Sequence, residues 1–142
     1  MKIEAGIIVA QKRLNRMIKQ LNLEKSLKGY KVVVKNVING HCRTDIQYIS
    51  IPLWAFDHRP HRVAGRLKTF QQATGKETGL ARYYLCHEAA HAITPYSGHG
   101  AQFMKVLIKI CPPSVIHYEC QYKPTAAAAA GIKPKKKRRI SK

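Results

Sequence analysis

The chain has 142 residues, 45% of them apolar and 23% charged, which suits one domain with a core of its own. No apolar run reaches the roughly 18 residues of a membrane span, and the apolar stretch in "MKIEAGIIVA" is too short, and too close to Glu4, for a secretory segment. Twenty-six Lys and Arg against seven Asp and Glu give +19, an excess that favours polyanionic partners, nucleic acid ahead of a membrane surface.

An intracellular protein is therefore expected, cytoplasmic or nucleoid-associated, or nuclear in a eukaryotic host. In that compartment Cys42, Cys86, Cys111 and Cys120, which form no C-x-x-C pair, read as free thiols.

In chain order, residues 4–22 are expected to form an amphipathic helix: Ile7, Leu14, Met17, Ile18 and Leu21 recur at helical spacing, with Lys12, Arg13, Arg16 and Lys19 largely off that stripe. The basic residues read as a solvated face or as a phosphate-facing surface. "YKVVVKNVI" (30–38) reads as a strand, Asn39-Gly40 as a hairpin turn, and "HCRTDIQYISI" (41–51) as the returning strand. On that strand Cys42, Thr44, Ile46 and Tyr48 alternate with Arg43, Asp45, Gln47 and Ile49, which suits one covered face. Trp54 and Phe56 read as core anchors. "DHRPHR" reads as a loop carrying His58 and His61, and "VAGRLKTFQQATGKETG" (63–79) has room for a short helix between two glycine-marked breaks.

"LARYYLCHEAAHAI" (80–93) reads as a helix stopped by Thr94-Pro95, because a residue preceding proline is pushed out of the helical region. "AQFMKVLIKI" (101–110) is a second helix, ended by Pro112-Pro113, and "SVIHYECQYKP" (114–124) a short strand or extended segment. From Ala126 the composition changes to "AAAAAG" and then "IKPKKKRRISK". Residues 1–125 are accordingly read as the folded domain and 126–142 as a disordered basic tail. Its Lys133, Lys135, Lys136, Lys137, Arg138 and Arg139 are candidate nucleic-acid contacts, or a nuclear import signal.

His87 and His91 stand four apart on the 80–93 helix, so both imidazoles leave the same face one turn apart and can reach one zinc ion. Glu88 lies about 100° round the helix from His87. There a carboxylate need not coordinate the ion and can instead take a proton from the water it activates, the mechanics of an H-E-x-x-H zinc hydrolase. Such a site needs a third protein ligand and one open position. His99 is the best candidate, since Pro95 and Gly98 allow the chain to turn back; Glu119 and His117 are weaker ones. Tyr84 and Tyr96 are candidates for stabilising an oxyanion. Cys86 reads as a packing thiol turned away from the His87/His91 face.

"HEAAHAITPYSGHGAQF" (87–103) resembles the SprT-like metallopeptidases, the Spartan-type family, whose H-E-x-x-H helix is followed by a His-Gly-x-x-Phe segment, here His99, Gly100 and Phe103. The leading helix, "NGHCR" and "YISIP" extend the likeness over about residues 5–110. The resemblance implies an α+β, zincin-like domain: an N-terminal helix, a short β-hairpin or sheet, the H-E-x-x-H helix and a following helix. It further implies that His87, His91 and His99 bind Zn2+, that Glu88 is the general base, and that the reaction is peptide-bond hydrolysis, in Spartan-type members of proteins attached to DNA. The chain departs from members that continue into a four-cysteine zinc ribbon, keeping only Cys120 in the stretch where a ribbon would begin. Two rival functions are a zinc-dependent endoribonuclease and a non-catalytic nucleic-acid-binding module with structural zinc.

Overall fold

The structure, a computed structural model, describes residues 2–56, 61–68, 79–96 and 98–132. Helix α1 (Lys2–Gln20) opens the chain and buries Ala10, Leu14 and Met17, with Ile7, Ile18 and Leu21 packed at the margin of the core, so the expected stripe is the face in use. Of its basic residues, Arg13 is engaged: its guanidinium donates to the Phe56 carbonyl at 2.7 Å and lies over the Phe56 ring.

Strands β1 (Lys31–Lys35), β2 (His41–Arg43) and β3 (Tyr48–Pro52) form a sheet in the order β1-β3-β2. The expected hairpin about Asn39-Gly40 does not form. β1 pairs with β3 in parallel, and the antiparallel partner of β3 is β2, across a tight turn in which Gln47 takes φ 51°. The burial pattern shifts with it. Val34, Ile49 and Ile51 face the helices, while Ile46 is 59% exposed at the turn rather than on a covered face. Ile49 and Ile51 carry the branched apolar surface that an inner strand needs on its covered side. The outer edge of β1 is occupied by a side chain: Gln11 donates to the Val32 carbonyl at 3.0 Å and accepts from the Val34 amide at 2.9 Å, as a neighbouring strand would. A 3-10 turn (Leu53–Phe56) follows and is buried throughout, with the Trp54 indole donating to the Ile38 carbonyl.

Strands β4 (His61–Val63) and β5 (Arg66–Lys68) form a separate two-stranded ribbon, so His61 opens a strand instead of lying in a loop. His58 and residues 69–78 of the expected short helix lie outside the described residues.

Helix α2 (Leu80–Ile93) has the expected bounds and is buried on nearly every side, from Leu80 through Ala90, which marks it as the central element. It packs on β2, β3, α1 and the next two helices in the chain. Helix α3 (Ala101–Ile110) also has its expected bounds. Residues 113–122 are a helix, α4 (Pro113–Tyr122), and not an extended segment. Pro113 stands in its first turn, where a missing N–H costs nothing, so the proline pair both ends α3 and starts α4.

The expected domain boundary at residue 125 also moves. Helix α5 (Pro124–Ala129) follows directly, since alanine is the best helix former, and Ala127 and Ile132 are buried against the core. The packed unit thus extends to residue 132, and the basic residues of the tail, Lys133 to Arg139 among them, lie outside the described residues. All four cysteines are free, with Cys86 and Cys111 buried. Among the described residues no helix is long and apolar enough to cross a membrane.

Candidate metal centre

α2 presents His87 and His91 on one face, and the turn through Thr94 and Pro95 returns the chain so that His99, just before α3, reaches the same point. Gly98 makes that return with φ 55°, a conformation that L side chains rarely adopt. His91 Nε2 lies 3.1 Å from His99 Nε2, and His99 Nε2 3.3 Å from His87 Nε2. A tetrahedral ion about 2.0–2.1 Å from each nitrogen would space them roughly 3.3 Å apart. The three side chains can therefore hold one metal ion. The Phe103 ring supports them, with its centroid 5.0, 4.5 and 5.0 Å from those of His87, His91 and His99.

Proton placement suits that role. His87 Nδ1 is 3.0 Å from the Glu119 carboxylate, whose Oε1 also accepts from the Tyr83 hydroxyl. The imidazole proton thus sits on Nδ1, leaving the Nε2 lone pair aimed at the centre. Burial would raise the Glu119 carboxyl, but the hydrogen bonds from His87 and Tyr83 outweigh it and hold it below the ordinary value. His91 is pushed down to about 4 by burial and by its neighbours His87 and His99. His99 is also lowered, by burial, His87 and Lys123. Both therefore stay neutral at pH 7 and offer lone pairs. Glu119→Ala is expected to weaken divalent-metal affinity by about 10–100-fold, measured by competition with a chelating dye.

Glu88 is 5% exposed and lies beside the triad. Burial is the main cause that pushes its carboxyl up to about 7, with His87 opposing and Glu119 adding. Gly40 makes this placement possible: a Cβ there would stand 2.8 Å from Glu88 Oε2 and 3.0 Å from the Tyr84 ring. The glycine expected to turn a hairpin instead clears space for a carboxylate.

A cavity of about 310 Å³ opens at this point, with Gly40, His41 and Cys42 of the β2 region on one wall and Glu88 with the three histidines on the other. The Cys42 thiol is pushed up to about 11 by burial and by Glu88, so it is neutral at pH 7. A second cavity of about 330 Å³ joins Asn39, Tyr84 and Lys123 to His87, Glu88 and His99. Of the two tyrosines expected near an oxyanion, Tyr84 lines this second cavity, whereas Tyr96 is fully exposed and lines neither.

The structure thus brings His87, Glu88, His91 and His99 together. Glu119 is no ligand in place of His99 but holds His87 from behind. Sequence reasoning missed Tyr83, Gly40 and Lys123. Only Tyr83 left a readable signal, its four-residue spacing from His87 on one helix face. Comparison with protein-family models, curated proteins and solved structures returned no match.

Proposed function

We propose that the chain is a zinc-dependent peptidase of the SprT-like kind that works on or near nucleic acid. The observation that carries the reading is the close approach of a buried, high-pKa carboxylate, Glu88, to three converging imidazoles. The nitrogen-only donor set and the carboxylate behind His87 fit zinc. When bound there, zinc polarises a carbonyl and lowers the pKa of water. His87, His91 and His99 would hold it, with His87 aimed by Glu119. Glu88, near 7 without the ion, takes the proton of the attacking water and returns it to the departing amine.

The sheet offers a place for the substrate. β2 is an edge strand that borders the cleft, whereas the β1 edge is closed by Gln11. An extended peptide pairing along β2 would lie beside Glu88. The +19 charge supports nucleic acid as the place of work.

The test is incubation of the zinc-loaded protein with casein, with a DNA-bound protein and with RNA. Peptide-bond cleavage that a chelator stops supports the reading, and cleavage of RNA alone, or of none, overturns it. In the same assay Gly40→Ala is expected to cut cleavage at least about tenfold with metal content intact, since the added methyl displaces a group whose placement governs proton transfer.

A further inference from the structure

Among the described residues the helices pack on one side of the three-stranded sheet, the side of Val34, Ile49 and Ile51. Its register defines the other face. Lys31, Tyr48 and Arg43 stand in one cross-strand row, and Val33, Ser50 and His41 in the next. Directly opposed residues share a face, so this face carries Lys31, Lys35, Arg43 and His41 around a single aromatic ring. No described element covers it, and a groove of about 530 Å³ runs across it, floored by Ser50 and Tyr48 and bounded by Lys35, His41 and Arg43. Lys35 holds its ammonium 5.0 Å from the Tyr48 ring centroid. The groove lies next to the metal cleft, with His41 bordering both.

We propose that this open face binds single-stranded nucleic acid, with a base stacked on Tyr48 and phosphates held by Lys31, Lys35 and Arg43. Strands about 4.8 Å apart place Lys31 and Arg43 roughly 10 Å apart on either side of Tyr48, so cations flank the stacking ring. A cationic groove with an aromatic platform is what unpaired nucleotides need, because every base has a free π-face and a duplex hides its own. Asp45 is an opposing group on this surface, and it pairs with Arg43 at 2.6 Å. The site locates the nucleic-acid partner proposed above. It uses neither Glu88 nor the metal ligands, so it stands or falls apart from hydrolysis.

The test uses the full chain with the six basic tail residues from Lys133 to Arg139 changed to glutamine, and a labelled oligothymidylate of about 12 nucleotides, a length within the range of single-strand sites, read by fluorescence anisotropy. Tyr48→Ala is expected to weaken binding about tenfold and Tyr48→Phe to preserve it. Lys35→Gln and Arg43→Gln should each reduce the slope of log affinity against log salt by about 0.7. Asp45→Asn should tighten binding by freeing Arg43. Oligouridylate run in parallel separates RNA from DNA. Unchanged affinity in Tyr48→Ala, an equal loss of binding to heparin (which has charge but no bases), duplex bound as tightly as single strand, or binding abolished by the tail changes alone would each overturn the proposal.

Discussion

Glu88→Gln is expected to abolish the proposed peptidase activity, by about 10²–10⁴-fold or more, while leaving metal content unchanged. Glutamine keeps the shape of the side chain and cannot accept a proton. Its effect on stability should run the other way. In the metal-free protein burial pushes the folded carboxyl from 4.5 up to about 7. Between those values the unfolded chain ionises while the folded one does not, so stability falls as pH rises from 4.5 to about 7 and is level above. Removing the ionisable group removes that cost, worth up to about 3 kcal/mol at neutral pH. Activity lost together with a raised melting temperature of the metal-free protein at pH 7.5 is the signature of a carboxylate placed for chemistry. A variant that cuts at the wild-type rate would sink the mechanism, and one that loses its metal would recast Glu88 as part of the binding shell.

Removing a metal ion held by these three histidines is expected to be nearly as consequential for the fold. The cluster of His87, His91 and His99 joins α2 to the start of α3, and nothing covalent links those two segments beyond the short turn between them. A ligand held by the native state alone stabilises it by about 4 kcal/mol when present at a thousand times its dissociation constant. For a chain of this length that corresponds to roughly 10 °C in melting temperature. The metal-free protein should also weaken as pH drops from 6.5 toward 4, because the unfolded chain protonates His91 and the folded one resists it. Differential scanning calorimetry before and after dialysis against a chelator, followed by zinc, reads both effects. A melting temperature that ignores added zinc would remove the ion from these histidines.

The helices that bear the site were legible because their signals are local. The bounds of α2 and α3 follow from Gly79, Pro95, Gly100 and the proline pair, and the H-E-x-x-H spacing places two imidazoles on one face. The sheet was not legible, because strand pairing is decided by distant partners. Asn39-Gly40 carries the local chemistry of a tight turn, yet Gly40 is needed for its missing Cβ against Glu88, a contact spanning 48 residues. The parallel pairing of β1 with β3 leaves no mark in either segment. α4 was hidden by two prolines that read as a stop and also serve as a start, and with it the role of Glu119 behind His87. The alanine run appeared as low complexity, yet small side chains at helical spacing are what let α5 lie close to the core.

The Gln11 amide beside β1 has a consequence for how copies of this protein meet one another. By satisfying Val32 and Val34 it removes the exposed ladder on which a second chain could add itself as a strand. Gln11→Leu would uncover two backbone groups on a β-branched segment, "KVVVK", and favour self-association into oligomers or fibrils.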